Sequence, residues 1–305
     1  MPTAYARRMR SDISFSSDGT VCRGWLYLPD DRSRDARLPA VVMAHGFAGV
    51  KEMRLDRFAA AFAAAGLASV VFDYRGLGAS DGEPRQDLDP YAQVRDYRNA
   101  ISFARTRPEI DPQRIGVWGS SYSGGHALMV GAWDRRVRAV VAQVPLIDAW
   151  EAVTRGAGPE LRDALVAQQI EERERIFAGA APALLPVVGA PDAVLGTPDA
   201  AEWFEKLGAD APTFRNEVTM RSWERLLEYS PLRWIDRIAP TPVAIVAAEH
   251  DLLCPIDLVR EAFARAGEPK RLVVLPVGHF DPYEPPSFAA AAGAAAEWFT
   301  THLGR

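Results

Sequence analysis

The chain has 305 residues, of which 48% are hydrophobic and 25% charged, and its formal net charge is −5 at pH 7. This length and apolar content predict one large soluble domain with an ample core. The weak negative charge argues against a nucleic-acid or anionic-membrane partner, and no segment reaches the ~20 unbroken apolar residues of a membrane helix.

The cysteines and the N-terminus indicate the compartment. Cys22 and Cys254 are far apart and belong to no C-x-x-C motif, so we expect two free thiols in a reducing compartment. Residues 1–10 are basic but no apolar stretch follows them, so we expect no signal peptide. Together these features predict a cytoplasmic protein.

Predicted strands and helices alternate along most of the chain. An edge strand at 21–28 is predicted to pair with 13–15, and buried strands follow at 39–44, 68–73, 114–118, 138–143, 242–248 and 271–275. Helical patterns lie at 54–65, 90–106, 122–132, 256–266 and 287–302. Asp89 and Pro90 mark the start of the second helix, since Asp is a favoured N-cap and Pro a favoured first residue. This alternation predicts a doubly wound, mostly parallel sheet flanked by helices.

The strand predicted at 114–118 ends in small residues around a serine, and a helix follows at once. This context is typical of a nucleophile elbow, a sharp strand-to-helix turn that exposes a serine hydroxyl. With Ser121 as the nucleophile, Gly119 lies two residues before it, and the usual second glycine is displaced by one position, giving G-x-S-Y-x-G. Ser120 and Ser123 are rival nucleophiles, and both rank lower because neither has small residues at both flanking positions.

An acid and a histidine follow two successive strands near the C-terminus, in the order that such a serine requires. A serine hydroxyl needs a base, and the base needs a carboxylate that fixes its tautomer. We predict His279 as the base and Asp251 as the acid. Glu249 is the rival acid and ranks lower because it lies nearer the strand end, and His250 is interpreted as a spacer.

The loop after the strand at 39–44 contains His45-Gly46-Phe47. Acyl transfer passes through an oxyanion that backbone N–H donors stabilise. One donor is the residue after the nucleophile, here Tyr122, and the other comes from a loop after an early strand. We therefore predict Tyr122 and Phe47 as the oxyanion hole, with Gly46 giving the backbone room to turn. His45 is a candidate base, but we expect it to brace the loop by hydrogen bonding.

Residues 150–232 interrupt the alternation of strands and helices. Helices are predicted near 158–177, 199–207 and 219–229, separated by turns rich in Gly and Pro. We interpret the segment as a helical lid inserted into a core that consists of 1–149 and 233–305. Most of its aromatic residues are expected to form the lid's own core, but Trp203 and Trp223 are predicted to bind substrate in an apolar pocket.

The three motifs, in this order, resemble those of the α/β-hydrolase superfamily over essentially the whole chain. The run Asp73-Tyr74-Arg75-Gly76-Leu77-Gly78-Ala79-Ser80 is similar to the D-x-R-G-x-G-x-S turn of that superfamily. The elbow resembles the Xaa-Pro dipeptidyl-peptidase and cocaine-esterase branch, and the fuller run GSSYSGGH resembles single-domain polyketide transferases and thiohydrolases. The resemblance implies an α/β-hydrolase fold: a mostly parallel eight-stranded sheet, flanking helices and an inserted helical lid. The peptidase and cocaine-esterase relatives carry a large C-terminal β-domain with no counterpart after the last predicted helix, so we do not expect dipeptidyl-peptidase activity.

These observations predict a serine hydrolase that cleaves a carboxylic ester or thioester of a small-molecule acyl substrate through an acyl-enzyme. Two alternatives stay open: an acyltransferase of the polyketide-transferase type that uses the same triad, and a non-catalytic ligand-binding protein of the same fold. The chain has no G-x-G-x-x-G after a first strand and no histidines at metal-ligand spacing, so we expect no cofactor and no metal. No nucleic-acid or membrane partner is expected, and the sequence leaves open a homodimer.

Overall fold

The computed structural model describes residues 10–30 and 37–304. Residues 1–9 lie outside the described residues, so the structure does not test the prediction that no signal peptide is present. The described strands are β1 (Arg10–Ser17), β2 (Thr20–Tyr27), β3 (Leu38–Ala44), β4 (Ala68–Phe72), β5 (Ile110–Ser120), β6 (Val137–Gln143), β7 (Leu184–Leu185), β8 (Val218–Thr219), β9 (Val243–Ala248) and β10 (Lys270–Leu275). The described α-helices are α1 (Leu55–Ala64), α2 (Pro90–Thr106), α3 (Tyr122–Trp133), α4 (Ala149–Thr154), α5 (Pro159–Phe177), α6 (Pro198–Gly208), α7 (Met220–Leu227), α8 (Ile256–Arg265) and α9 (Ser287–Leu303).

Eight strands form one sheet in the order β1-β2-β4-β3-β5-β6-β9-β10. The strand β2 pairs antiparallel with β1 and β4, and all other neighbours in this sheet are parallel. The predicted α/β-hydrolase sheet is therefore confirmed. Since parallel strands run in one direction, the loops after β3, β5, β9 and β10 emerge at the same edge of the sheet.

One detail of the sheet prediction is wrong. The strand predicted at 21–28 is not an edge strand, because β2 lies between β1 and β4. The close approach of β2 to β4 depends on Gly24, where a Cβ would lie 2.1 Å from the carbonyl oxygen of Val71. A residue with a side chain at that position would push the two strands apart, and the outer position belongs to β1, which pairs with the free side of β2.

Two apolar layers cover the two faces of the sheet. Successive residues of β3 alternate between them: Val42 packs in the layer that includes α2, α3 and α8, and Val41 in the layer that includes α1 and α9. Trp298 and Phe299 of the last helix, α9, are both buried in this second layer. Strands that are covered on both faces are apolar throughout, which is the pattern that the sequence shows.

The helix α2 begins where its sequence signal predicts. The Asp89 side chain accepts hydrogen bonds from the backbone N–H groups of Tyr91 at 2.9 Å and Ala92 at 3.0 Å. Pro90 occupies the first helical turn. A backbone N–H there would have no acceptor within the helix, so the N–H that proline lacks costs no hydrogen bond. The cap and the proline together fix the start of this helix.

The segment between β6 and β9 contains the three predicted helices, as α5, α6 and α7. It also contains the short helix α4 and the two-stranded antiparallel sheet of β7 and β8, which the sequence pattern did not predict. Strands of two residues carry too little periodicity to be recognised. Among the described residues, no helix combines the length and the apolar character needed to cross a bilayer.

Candidate active site

Ser121 occupies a strained turn between β5 and α3. Its φ of 58° and ψ of −123° lie in a region that residues with side chains rarely adopt. Two backbone hydrogen bonds hold this conformation: Ser121 N–H donates to the Gln143 carbonyl at 2.9 Å, and Leu146 N–H donates to the Ser121 carbonyl at 3.0 Å. The end of β6 and the loop after it therefore hold the turn in place, with Ser121 half-buried on it.

Glycines make the turn sterically possible. A Cβ at Gly119 would lie 2.0 Å from the Ser123 carbonyl oxygen, inside any allowed contact. A Cβ at Gly124 would lie 2.9 Å from Pro145 Cα, so the displaced second glycine lets α3 pack against the loop after β6. Although this elbow departs from G-x-S-x-G, it still requires a second glycine, which lies one residue later, at Gly124.

A hydrogen-bonded chain links the three predicted triad residues. The Asp251 carboxylate and His279 Nδ1 are 2.7 Å apart, and His279 Nε2 and Ser121 Oγ are 3.1 Å apart. An ionised carboxylate only accepts hydrogen bonds, so Nδ1–H donates to Asp251 and Nε2 accepts the Ser121 hydroxyl proton. Both the histidine and the aspartate side chains are 1% exposed. The structure thus brings together the residues predicted as nucleophile, base and acid.

The Asp251 carboxylate is fixed on its other oxygen as well. Asp251 Oδ1 accepts the backbone N–H groups of Leu253 at 2.9 Å and Cys254 at 2.7 Å. Its Oδ2 is left to face the imidazole. Glu249, the rival acid, is exposed and pairs with Arg260 at 3.5 Å.

The rival serines are engaged elsewhere. The Ser120 hydroxyl is buried and hydrogen-bonded to the hydroxyl of Tyr283. The Ser123 hydroxyl is buried and lies 2.7 Å from the hydroxyl of Tyr74. Of the three adjacent hydroxyls, Ser121 Oγ is the one that lies within hydrogen-bond distance of His279.

The loop that follows β3 reaches the nucleophile. A Cβ at Gly46 would lie 3.2 Å from Ser121 Cβ and 3.7 Å from its Oγ, so the backbone of this loop passes directly beside the hydroxyl. Phe47 N–H donates no hydrogen bond to any residue that the structure describes. Tyr122 is the first residue of α3, where backbone N–H groups have no acceptor within the helix. The rings of Phe47 and Tyr122 pack edge to face with centroids 5.5 Å apart.

His45 lies behind this loop. Its Nδ1–H donates to the Gly46 carbonyl at 3.0 Å, and its Nε2 is buried 3.7 Å from Asp73 Oδ1. Burial lowers the pKa of His45, so the ring is neutral near pH 7. The imidazole contacts the loop and makes no hydrogen bond to the Ser121 hydroxyl, which agrees with a bracing position.

Asp73, the first residue of the D-x-R-G-x-G-x-S run, anchors the same loop. Its carboxylate accepts the backbone N–H of Lys51 at 2.7 Å, the Lys51 ammonium at 2.7 Å and the Ala79 N–H at 2.9 Å. A Cβ at Gly78 would lie 2.3 Å from Asp73 Oδ2, so glycine is needed for the turn to wrap the carboxylate. The motif therefore holds the position of the loop that contains Gly46.

Ser121 and His279 line a narrow cavity that is partly open to solvent and has a volume of about 30 Å³. The walls are mainly apolar and come from three parts of the chain: the loop after β3, the segment between β6 and β9, and the loops after β9 and β10. These walls include Phe47, Met53, Leu55, Leu195, Trp203, Phe204, Leu253, Phe280 and Tyr283. No Asp, Glu, Lys or Arg is among the described residues that line it.

The two tryptophans predicted to bind substrate lie in different places. Trp203 lines the cavity and stacks on Phe280, with ring centroids 5.0 Å apart and an interplanar angle of 29°. Trp223 lies outside the cavity lining and packs, half-buried, against the core layer. Because α7 turns this side chain toward the core, the placement does not support substrate binding by Trp223.

Several residues of the site carried no recognisable signal in the sequence. Gln143 holds the elbow, and Phe280 and Tyr283 line the cavity. The available hint was their position: Gln143 is the last residue of β6, and Phe280 and Tyr283 follow His279 within four residues. Cys254 is also close: its Sγ lies within 4.8 Å of ligand atoms of Asp251 and His279, the three residues that could together hold a metal ion. Burial, then the Asp251 charge, raises the pKa of the Cys254 thiol.

Comparison with known proteins gives a consistent result. The family model described as X-Pro dipeptidyl-peptidase (S15 family) matches residues 18–281. The chain is 35% identical over 247 residues to the quorum-quenching protein AidA of Acinetobacter baumannii, covering 80% of this chain and 79% of that protein. It is 36% identical over 279 residues to the thiohydrolase aneE of Aspergillus aculeatus, covering 86% and 83%.

A third relative is the polyketide transferase grgF of a Penicillium species, 32% identical over 275 residues and covering 89% of this chain and 90% of that protein. The crystal structure of the α/β-hydrolase GrgF superposes with a TM-score of 0.82, at 29% identity, over 97% of this chain and 99% of that chain. The fold, the family model and these relatives agree. The chain belongs to the X-Pro dipeptidyl-peptidase (S15) family of α/β-hydrolases.

Proposed function

We propose that the protein is a serine hydrolase that cleaves a thioester or carboxylic ester through an acyl-enzyme on Ser121. The observation that carries this proposal is the hydrogen-bonded chain from Ser121 through His279 to Asp251, with distances of 3.1 Å and 2.7 Å. The family membership supports a hydrolase, and the relative named a thiohydrolase supports the thioester.

In the proposed first step, His279 Nε2 takes the proton of Ser121 Oγ as this oxygen attacks the acyl carbonyl carbon. The carbonyl oxygen becomes an oxyanion, and we assign its stabilisation to the N–H groups of Phe47 and Tyr122. The Asp251 carboxylate stabilises the imidazolium that forms. The arrangement is preorganised because both donors belong to backbone that packing already holds in place.

In the second step the oxyanion collapses and the bond from the acyl carbon to the leaving sulfur or oxygen breaks. His279 returns its proton to the leaving thiolate or alkoxide, which departs as a thiol or alcohol. Water then attacks the acyl-Ser121 ester, with His279 as the base, and the collapse of the second intermediate releases the carboxylic acid and the serine.

The cavity supports an uncharged, apolar acyl group as the substrate class. Its lining contains several aromatic and aliphatic side chains and no fully charged one among the described residues. A charged group there would lose its hydration without an ion partner. Because Leu195, Trp203 and Phe204 lie in its wall, we also propose that residues 150–232 act as a lid that shapes acyl specificity.

The test of the nucleophile compares Ser121→Ala with Ser120→Ala. The first variant should lose about 10⁶-fold in kcat, as triad knockouts do, and should no longer react with a fluorophosphonate. The second should keep labelling, since its hydroxyl bonds to Tyr283 and not to His279. Assaying matched thioester and oxygen-ester pairs of the same acyl group identifies the preferred bond. Full activity of Ser121→Ala on both substrates would refute the mechanism.

The test of the cavity compares Trp203→Ala with Trp223→Ala. Loss of the cavity-lining ring should raise KM for long or aromatic acyl groups by about 10-fold or more, because apolar burial contributes roughly 25 cal/mol per Å². Short acetyl substrates should be little affected. Trp223 is the matched control, because it packs outside the cavity. Equal KM effects in the two folded variants would contradict the proposed acyl-binding wall.

Acyl transfer to an alcohol or amine is the second candidate, supported by the relative named a polyketide transferase. Both reactions share the acyl-enzyme, so the discriminating measurement is product partition. Adding increasing concentrations of an acceptor alcohol should leave free acid as the main product of a hydrolase, whereas a transferase would yield mainly the new ester. A ligand-binding protein without catalysis would stay unlabelled by the fluorophosphonate.

A further inference from the structure

The helix α5 lies on the surface of the protein, and almost none of its side chains is buried. Of its 19 residues only Glu172 is buried, although the helix extends for about 28 Å. Its inner face consists of Leu165, Gln169 and Ile176, which are half-buried. Most helices of this length bury an apolar stripe, because tertiary packing supplies most of their stability. The exposure of α5 therefore indicates a surface that something else covers.

A second stripe lies on the exposed flank of α5, and its Arg173 also contacts Glu224 and Glu228 beside it. Val166, Ile170 and Phe177 on this stripe are 42%, 52% and 95% exposed. Spacings of four and three residues connect the full stripe: Pro159, Asp163, Val166, Ile170, Arg173 and Phe177. This is the heptad spacing of a helix that packs along another helix. Because Val166, Ile170 and Phe177 share one side of the helix, they form a common apolar surface, which is the kind of feature that marks an interaction site.

We propose that this stripe binds the same stripe of a second copy of the chain, with the two α5 helices antiparallel. A two-fold axis through Gln168 places each Val166 opposite Ile170 of the other copy. The same symmetry places Pro159 opposite Phe177. Residue pairs of this kind are what a symmetric dimer requires, since one surface must complement itself.

Charge supports the antiparallel arrangement. The symmetry that joins the apolar residues also places Asp163 opposite Arg173, twice. Asp163 makes no ion pair within the described part of the chain, and the Arg173 side chain is 65% exposed even though it contacts Glu224. A parallel pair in register would instead place like charges opposite each other. An anionic membrane is a poorer partner, because α5 carries five acidic and three basic residues.

The size of the contact sets the expected affinity. One helix from each copy buries less than the roughly 800 Å² per partner of a standard interface. We therefore expect a reversible dimer with a micromolar Kd. No residue of α5 lines the cavity that contains Ser121, so dimer formation and the hydrolytic reaction are separable, and each proposal can fail alone.

Sedimentation equilibrium across micromolar concentrations tests this proposal. The mass should rise with concentration from 33.4 kDa toward about twice that value. Ile170→Glu should raise Kd at least about tenfold, because it buries a charge in the seam. Leu161→Glu is the matched control: it replaces an apolar residue of similar exposure, 53%, on the opposite side of α5, and it should dimerise as the parent does. Unchanged far-ultraviolet circular dichroism verifies that both variants fold, whether or not Ser121 is reactive.

Charge reversal tests the direction of the helices. Asp163→Arg or Arg173→Asp alone should weaken the dimer several-fold, and the double variant should bind more tightly than either single one, because opposite charges then face each other across the two copies again. Full recovery is not expected, because an aspartate at position 173 lies beside Glu224 and Glu228 of its own chain. A parent that stays monomeric at all concentrations would overturn the proposal. So would an Ile170→Glu variant that dimerises normally, a double variant weaker than both single ones, or a monomer that binds anionic vesicles through α5.

Discussion

Replacing Gly46 with alanine tests the proposed oxyanion donor. The added Cβ would lie 3.2 Å from Ser121 Cβ and 3.3 Å from the Ser120 carbonyl oxygen, which is closer than ordinary contact. The elbow cannot yield easily, because backbone hydrogen bonds of 2.9 and 3.0 Å hold Ser121. The loop must therefore move by a few tenths of an ångström, and the Phe47 N–H moves with it.

The expected loss in kcat follows from how much one oxyanion donor stabilises the transition state. Complete loss of one donor costs about 2.7–4 kcal/mol, or about 10²–10³ in kcat. A displaced but present donor should cost part of that, about 1–2 kcal/mol, so Gly46→Ala should lower kcat by about 5- to 30-fold. Steady-state kinetics on one activated thioester measures this, and KM should change little, because the loss concerns the transition state.

Gly49→Ala is the matched control for this prediction. It adds the same methyl group to the same loop, but the nearest atom to its Cβ would be 3.7 Å away, which is an ordinary contact. Its kcat should stay within about twofold of the parent. If Gly46→Ala folds normally and matches Gly49→Ala in kcat, the Phe47 N–H does not stabilise the oxyanion.

Three further predictions concern the acid, the thiols and a buried histidine. Asp251→Asn should lower kcat by about 10⁴-fold because the imidazole adopts the wrong tautomer, whereas Glu249→Gln should be nearly silent; similar losses in the two variants would contradict the assignment. Burial raises the pKa of the thiols of Cys22 and Cys254, so neither should react with an aromatic disulfide reagent at pH 8 until guanidinium unfolds the protein, and rapid reaction of the native protein would show that this burial is wrong. Burial lowers the pKa of His126 to about 3, so below pH ~6.5 only the unfolded state takes up its proton, and the free energy of unfolding should fall by up to about 1.4 kcal/mol per pH unit. Urea unfolding at pH 7, 6 and 5 should therefore show a weaker pH dependence for His126→Gln than for the parent; equal slopes would refute the role of this histidine.

The parts of the fold that could be predicted are those that repeat along the chain. Apolar runs gave the core strands and helices, since a covered parallel sheet needs them. The convergence of Ser121, Asp251 and His279 also followed, because loops after parallel strands emerge at one edge of the sheet. Once three strand ends carry a serine, an acid and a histidine, topology alone brings these residues close together.

The remaining features depend on packing between distant residues. Ser120 is held by Tyr283, which lies 163 positions later, and no local pattern connects the two. Trp203 and Trp223 are equivalent as sequence and both pack against the core, yet only Trp203 also lines the cavity. Orientation of that kind is decided by how whole helices dock, so composition could predict an aromatic lid segment but not which of its rings meets the substrate.

The position of β10 at the edge of the sheet predicts that activity is lost before the rest of the structure unfolds. His279 follows this strand, which pairs with β9 alone, and all six of its residues are only half-buried. Outer strands open at lower free energy than the centre of a sheet. When β10 detaches, His279, the proposed base, moves with it, while Ser121 remains in its turn at the end of the central strand β5. In mild denaturant, kcat should therefore fall before circular dichroism detects unfolding. The rate of turnover is then a sensitive measure of local unfolding at this edge of the sheet.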